Sequence, residues 1–161
     1  MELKLDLHIH SEYSPDSFNS IDEINKRIVE QGFDGYALAD HDTLKGLDEA
    51  REKSGDLVFI PAIEISARRA HVVALDPVEV VPPGLSLPET VDLIHDQGAT
   101  AILAHPYGLP RSWPQLHQVE SANLDAIEVA NSAQVPYDVI CNLNQKLADR
   151  LGLPTTGGRD S

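Results

Sequence analysis

Short, continuously apolar segments alternate with segments of helical periodicity along most of this 161-residue chain. The clearest apolar runs are 57–63 and 100–104, and helical spacing is clearest in 20–32 and 137–151. Strands that are apolar on both faces, instead of on alternate residues, are typical of parallel strands covered by helices. A chain of this length can bury one hydrophobic core. The sequence therefore predicts an α/β fold, with residues 1–161 forming a single domain.

Local signals give the bounds of several elements. Ser20 and Glu23 have the spacing of a capping box, which predicts a helix that begins there. Thr43 is the expected cap of a second helix. The apolar run 57–63 predicts a strand that ends at Glu64, and residues 153–161 close the chain.

Side chains that bind metals recur where these predicted strands end. They are His8 and His10, Asp40 and His41, Glu64, His105 and Asp160, whereas His71 leads its strand. Residues two apart in a strand point to the same side, so the rings of His8 and His10 face one space. Asp16 lies six residues after His10, in a turn that can fold back toward it. Active sites of parallel α/β folds gather at the carboxyl ends of strands.

The number of these side chains exceeds what one ion can coordinate. Five histidines together with Asp16, Glu64 and Asp160 favour two or three closely spaced divalent metals. Mixed nitrogen and oxygen ligands suit Mn, Zn and Fe comparably, so the identity of the metal stays open. Asp40 is interpreted either as a partner that orients an imidazole or as a strand-end cap, and Glu128 either as a site residue or as a carboxylate in the protein interior.

Composition narrows the classes of partner. The net charge of −14 disfavours binding to duplex nucleic acid, whereas a small phosphorylated substrate is compatible with bound cations. No apolar run approaches the length of a membrane span, and the charged start of the chain does not resemble a signal peptide. The single cysteine, Cys141, excludes an intrachain disulfide framework and fits a reducing cytoplasm.

The order of short motifs resembles the PHP (polymerase and histidinol phosphatase) family. The motifs are HxHSxYSxD from His8 to Asp16, then ADHDT, IEIS, HVV, AHP and GGRDS, which covers the chain from Leu5 to Ser161. The resemblance implies a distorted (β/α)7 TIM-like barrel. It further implies that His8, His10, Glu64 and Asp160 bind one metal, Asp16 and His41 a second, and Glu64, His71 and His105 a third.

The sequence departs from the family pattern in three ways. The last motif of the family normally reads Asp-x-His, whereas here Ser161 is the final residue, so we expect a longer chain of which this sequence lacks the C-terminal end. The length is below that of a closed eight-stranded barrel. The segment between His71 and His105 is short, which predicts a more open pocket.

The activity that the resemblance implies is that of a metal-dependent phosphoesterase. A metal-activated hydroxide would attack the phosphate ester of a small molecule or nucleotide. The expected catalytic residues are Glu64, Asp160 and Arg111. Arg111 would be a bidentate phosphate clamp or, alternatively, a solvated loop arginine. Arg159 and the pair Arg68 and Arg69 are weaker candidates for this clamp and are otherwise interpreted as surface charge.

The substrate stays open at this stage. The motifs are most similar to PHP members that act on nucleotide phosphates, including mononucleotides and short single-stranded RNA, and histidinol phosphate comes next. A non-catalytic, metal-binding PHP-like module is an alternative of a different class. A metal-dependent amide or lactone hydrolase is a third, in which Glu64 would replace the carboxylated lysine that such enzymes use as a bridge.

Overall fold

Seven strands form one barrel-shaped sheet in the computed structural model, which describes residues 2–108 and 112–161. The strands are β1 Leu5–Ile9, β2 Gly35–Leu38, β3 Val58–Ala67, β4 Ala70–Leu75, β5 Thr100–Ala104, β6 Ala126–Asn131 and β7 Thr155–Gly158. The helices are α1 Ile21–Glu30, α2 Leu47–Lys53, α3 Leu87–Asp96, α4 Leu116–Ser121 and α5 Tyr137–Leu151. The strands follow chain order from β1 to β7, which confirms the predicted (β/α)7 architecture.

Pairing in the sheet is not parallel throughout, and the sequence prediction was wrong on this point. β3 and β4 form an antiparallel hairpin, and β4 also runs antiparallel to β5, whereas the remaining pairs are parallel. Glu64 therefore does not end its strand, because β3 continues to Ala67 before the hairpin turns. The reversal of β4 also explains why His71 leads its strand: the start of an antiparallel strand lies at the carboxyl edge of its neighbours.

The first and last strands meet at a seam that closes most of the barrel. The N–H of Asp160 donates to the carbonyl of His8 at 2.8 Å, and the N–H of His10 donates to the carbonyl of Ser161 at 3.2 Å. β7 was missed in the sequence because its residues, TTGG, carry no apolar signal. The glycine is required by packing, since a Cβ atom on Gly158 would lie 2.3 Å from Cβ of His8.

Small residues fill the inside of the barrel and larger ones pack between the sheet and the helices. The inner cluster consists mainly of alanines, including Ala37, Ala39, Ala62 and Ala104, with Ile102. Tyr36 and Leu38 alternate with these alanines along β2 and pack outward with α1. The narrow interior lets side chains from opposite strands approach one another at the carboxyl edge.

The helix caps follow the sequence signals in one place and not in another. Ser20 and Glu23 form the predicted capping box of α1. The cap expected at Thr43 was wrong, because α2 begins only at Leu47, after Gly46. Gly46 lies so close to Asp40 that a Cβ atom there would be 2.9 Å from the carboxylate, so packing at the site sets this turn. In the described residues, no helix has the length and apolar character needed to cross a membrane.

Candidate metal centre

A single buried carboxylate, that of Glu64, lies among five imidazoles at the carboxyl edge of the barrel. Its Oε2 atom lies 3.2 Å from His8 Nε2, 3.2 Å from His10 Nε2 and 3.1 Å from His41 Nε2. Its Oε1 atom lies 3.0 Å from His71 Nδ1 and 3.0 Å from His105 Nε2. The two oxygens thus serve two different groups of rings.

The five rings reach this point from four strands. His8 and His10 lie two apart in and just after β1, so both point inward. His41 follows β2 and forms an isolated parallel bridge with Glu64. His71 comes from the antiparallel β4, directly opposite Ser66. The convergence of residues from four strands explains why neighbouring residues in this site are distant in sequence.

Two aspartates complete the polar edge of the site. Asp160 Oδ1 lies 2.9 Å from His10 Nε2 and 3.8 Å from His8 Nε2, and its Oδ2 lies 3.5 Å from His105 Nε2. Asp16 Oδ2 lies 3.2 Å from His41 Nε2. The hydroxyl of Ser14 donates to Asp16 Oδ1 at 2.7 Å, which orients this carboxylate. Eight predicted side chains are therefore brought into one site, and Arg111 lies outside the described residues.

A further layer, centred on Glu128, positions the histidines. Glu128 Oε1 lies 3.1 Å from His8 Nδ1, and its Oε2 accepts from the N–H of His105 at 2.9 Å. Asn131 donates to Glu128 Oε2 at 3.0 Å and to Asp160 Oδ2 at 3.1 Å. A carboxylate on the far nitrogen fixes the ring so that His8 Nε2 faces Glu64, as outer partners of metal-ligating histidines do.

Glu128 also supports an uncommon backbone conformation. His105 has a φ of 28°, which non-glycine residues rarely adopt. The hydrogen bond from its N–H to Glu128 holds the peptide in place while the ring turns toward Glu64. Asp160, with a φ of 55°, also lies in the left-handed region. Such conformations cluster at functional sites where the surroundings hold them.

Of the two roles considered for Asp40, its hydrogen bonds support the structural one. Asp40 accepts hydrogen bonds from the N–H of Ser11 at 2.6 Å and from its hydroxyl at 2.7 Å. The carboxylate therefore anchors the turn after His10 and does not orient an imidazole. Burial raises the pKa of Asp40, and these hydrogen bonds from Ser11 oppose that rise.

Charge coupling within the site shifts several pKa values. Burial alone would lower the pKa of His8, but the charges of Glu64 and Glu128 outweigh it and raise that pKa well above its usual range. Burial likewise lowers the pKa of His10, and hydrogen bonds to Asp160 and Glu64 reverse the effect and raise it to about 9. Burial would raise the pKa of Glu64, yet the surrounding histidines hold it well below the ordinary value.

The geometry fits a metal centre better than a hydrogen-bonded network. His8 Nε2, His71 Nδ1 and Glu64 Oε2 are buried and have no hydrogen-bond partner in residues 2–108 and 112–161. Two ligand atoms each about 2.1 Å from one ion are about 3.0–3.4 Å apart at tetrahedral or octahedral angles. The separations around Glu64 fall in this range. Ligand atoms form two groups that share Glu64: His8, Glu64, His105 and Asp160, and His10, His41 and Glu64.

Sequence reasoning missed two contributors to the site. Glu128 was left undecided and Asn131 was not considered, although both belong to the segment IEVAN of β6. The signal was present in the strand itself, because Glu128 interrupts an otherwise apolar run. A charged residue in such a run is buried only when it is paired, which would have marked it as a site residue.

Comparison with known proteins decides the family. The PHP domain model matches residues 6–108, which is more than half of the chain. The chain belongs to the PHP domain family. An uncharacterized protein of Methanocaldococcus jannaschii is 32% identical, in a match that covers 81% of this chain and 82% of that protein.

Two further comparisons concern an enzyme of similar sequence and a solved structure of similar fold. A 5'-3' exoribonuclease of Haemophilus influenzae is 40% identical over 82 residues, which is 47% of this chain and 30% of that enzyme. A crystal structure from Bifidobacterium adolescentis, described as a "putative metal-dependent phosphoesterase", superposes with a TM-score of 0.81 at 19% identity. That superposition covers 98% of this chain and 87% of the other, and it shows that the two share a fold.

Proposed function

We propose that this PHP protein is a metal-dependent phosphoesterase that hydrolyses the phosphate ester of a small molecule or nucleotide. The observation that carries the proposal is the position of Glu64, whose carboxylate belongs to two groups of ligand atoms, one with His8, His105 and Asp160 and the other with His10 and His41. A carboxylate shared between two groups of ligands suits ions that lie close together. Such paired sites serve phosphoryl chemistry by clamping the attacking and leaving oxygens.

The protein residues have distinct tasks in this proposal. His8, His105, Asp160 and Glu64 would hold one ion, and His10, His41 and Glu64, with Asp16 beside His41, would hold another. His71 adds a nitrogen next to Glu64 Oε1 and is the remaining ligand for a second or third ion. When bound, divalent ions supply Lewis acidity and lower the pKa of a coordinated water. Glu128 keeps the His8 ring in the orientation that binding requires.

Nucleotides are the substrate class that we favour. The identity with a 5'-3' exoribonuclease supports a nucleotide or a short single-stranded RNA over an unrelated phosphate ester. The net charge of −14 opposes attraction of a long duplex, whereas a small phosphoester needs only the local field of bound cations. Mn, Zn and Fe all match the mixed nitrogen and oxygen ligands.

Arg111 remains a candidate for the phosphate clamp. It follows His105 by six residues, and a guanidinium can bind two phosphate oxygens at once. We expect Arg111→Ala to raise KM for phosphoesters, because a bidentate contact would be lost. An unchanged KM and kcat would remove Arg111 from the site.

The test is a metal count combined with phosphate release. Protein purified without chelator is measured by native mass spectrometry and then assayed with nucleotide phosphoesters for the release of inorganic phosphate. We expect two or three ions per chain and metal-dependent release. His105→Ala should lose both metal and activity, whereas His117→Ala should keep them, because His117 lies exposed on α4 away from Glu64.

The same experiment separates the other classes of function. A full set of ions without phosphate release from any ester would favour a non-catalytic module or hydrolysis of amides or lactones. Fewer than two ions per chain would contradict the two-metal arrangement itself. We further propose that residues 1–161 act as a single domain, since one continuous sheet and the turns at its edge supply every proposed ligand.

A further inference from the structure

A second feature of the carboxyl edge is a cavity that the metal centre does not use. Its volume is about 530 Å³, within the range of sites that bind small molecules. Its walls include Arg69 from the β3–β4 turn, Tyr107 and Trp113 from the segment after β5, Gln115, and Leu143 of α5. None of these residues contacts Glu64.

The cavity lies beside the metal centre. Arg69 precedes His71 by two residues, and Tyr107 follows His105 by two residues. Two residues of chain span at most about 7 Å, so the backbone of the cavity wall begins within that distance of two candidate metal ligands. A substrate held by its phosphate at the metal centre can therefore extend a neighbouring group into this cavity.

The aromatic part of the wall is built as a fixed surface. The rings of Tyr107 and Trp113 pack with centroids 4.9 Å apart at an angle of 58°. The N–H of Trp113 donates to the carbonyl of Arg69 at 3.1 Å, and the N–H of Tyr107 donates to Asn144 Oδ1 at 3.3 Å. Asn144 is fully buried, so its side chain is held by the surrounding protein and fixes the backbone of Tyr107. Trp113 nonetheless keeps 46% of its surface exposed, which leaves the indole available to a ligand.

The charge at the cavity is opposite to that of the molecule. Arg69 is exposed, and no carboxylate of residues 2–108 or 112–161 lies within ion-pair distance of its guanidinium. In a chain of net charge −14, an arginine without an acidic partner attracts an anionic ligand. A guanidinium can bind phosphate oxygens and can also stack on an aromatic ring.

We propose that this cavity binds the nucleobase of a nucleotide whose phosphate lies at the metal centre. A flat aromatic base would stack on Trp113 and Tyr107, and Arg69 would contact the base or its adjoining phosphate. Stacking on aromatic side chains tolerates any base and is the usual way in which proteins hold single-stranded nucleotides. This inference rests on the proposed phosphoesterase activity and names its substrate class more closely.

Trp113 is the only tryptophan of the chain, so it reports on the cavity directly. Adenosine monophosphate is titrated into the purified protein while tryptophan fluorescence is followed with excitation at the red edge, where adenine does not absorb. We expect saturable quenching. Ribose 5-phosphate, which has the phosphate and no base, should not quench over the same concentrations. Equal responses to both ligands, or no response to either, would overturn the proposal.

A matched pair of arginine variants tests the charge. Arg69→Gln removes the guanidinium from the cavity, whereas Arg68→Gln removes a neighbouring exposed one that donates to the carbonyl of Gly84. We expect Arg69→Gln to raise the midpoint of the adenosine monophosphate titration by about fivefold or more, as loss of a charged hydrogen bond does. Arg68→Gln should leave it unchanged. Equal effects of the two substitutions would show general electrostatics and not a subsite.

Kinetics separate this inference from the proposed function. Trp113→Ala should lower kcat/KM for a nucleotide by about fivefold to a hundredfold while leaving a small aliphatic phosphomonoester unaffected, because only the nucleotide loses stacking. Trp113→Phe should restore most of the loss, and thermal unfolding checks that both variants fold. Saturable quenching without any hydrolysis would support the cavity and contradict the activity. Hydrolysis without quenching, and without selective loss in Trp113→Ala, would contradict the cavity alone.

Discussion

Glu128 shows how one side chain can set the protonation pattern of a metal centre. One of its oxygens accepts from the N–H of His105, and Asn131 donates to the same atom. The other oxygen faces His8 Nδ1 at 3.1 Å, so the ring proton of His8 belongs on Nδ1. A cation that binds at His8 Nε2 would replace the proton there, while the proton on Nδ1 stays directed at Glu128. A carboxylate performs this role because it accepts on both sides.

We expect Glu128→Gln to weaken metal binding by about tenfold to a hundredfold. The amide oxygen must face the donors of His105 and Asn131, so the amide NH₂ faces His8 Nδ1 and drives the ring proton to Nε2. Competition with a fluorescent chelator measures the affinity. Glu120→Gln, which removes a surface partner of Arg150, is the matched control and should bind metal normally. An affinity of Glu128→Gln equal to that of the parent protein would contradict this role.

Asp125 contributes to the pH dependence of stability through hydrogen bonds that lie outside the candidate metal centre. Its Oδ2 accepts from the N–H of Ala101 at 2.7 Å and lies 2.9 Å from His95 Nε2. Burial raises its pKa, but these two hydrogen bonds outweigh that effect and lower it. A carboxyl whose pKa is lower when folded stabilises the protein above its unfolded pKa of about 3.9, and the contribution is lost as pH falls through the folded value.

Asp125→Asn should therefore lower Tm near neutral pH, and the difference from the parent protein should shrink as pH falls below about 4. Asparagine keeps an acceptor for Ala101 and removes only the charge. Thermal unfolding in chelator at a series of pH values measures the effect. Asp92→Asn, an exposed change on α3, serves as control and should show no such trend. A Tm difference that is constant across the series would contradict the assignment.

At the level of elements, the seam between β1 and β7 brings two of the proposed metal ligands together. Asp6 is almost fully buried there, and its carboxylate accepts from the N–H groups of His8 at 3.3 Å and Arg159 at 3.2 Å. The guanidinium of Arg159 lies 3.1 Å from the other oxygen of Asp6. The interpretation of Arg159 as surface charge was wrong, because it closes the barrel and places Asp160 next to His8.

Gly158 is the glycine of this seam at which an added side chain would be tolerated least. A Cβ atom there would lie 2.3 Å from Cβ of His8 and 2.8 Å from Glu128 Oε1, whereas on Gly157 the nearest atom would be 3.3 Å away. Overpacking of this kind costs about 1–3 kcal/mol. We expect Gly158→Ala to lower Tm by several degrees and to reduce metal occupancy, and Gly157→Ala to do much less. Similar losses in both variants, measured by calorimetry and mass spectrometry, would indicate only a general loss of strand flexibility.

The whole molecule links folding to metal binding. The proposed ligands come from the ends of β1, β2, β5 and β7 and from within the β3–β4 hairpin, so an ion bound at Glu64 would tie distant parts of the barrel together. A ligand that binds only the folded state adds about 2.7 kcal/mol of stability when its concentration is one hundred times its Kd. Removal of metal also leaves buried histidines close together around one carboxylate.

Chelation should therefore lower Tm and loosen the seam first. Hydrogen exchange followed by mass spectrometry should show faster exchange in β1 and residues 155–161 after metal removal, with little change in α3. The seam is the sensitive part because, among residues 2–108 and 112–161, two backbone hydrogen bonds and the Asp6 contacts join its two sides. Re-addition of Mn or Zn should restore protection. Uniform acceleration across all elements would instead point to global destabilisation.

Local patterns in the sequence determined most elements, the capping box at Ser20, and the candidate ligands, because apolar runs, cap spacing and strand-end histidines depend on neighbouring residues only. Tertiary structure alone decided the reversal of β4 and the strand at TTGG, which depends on pairing with β6. It also decided the pairing of Glu128 with His8 and of Asp6 with Arg159. These features join residues far apart in the chain, and their energy exists only once the barrel brings the partners together.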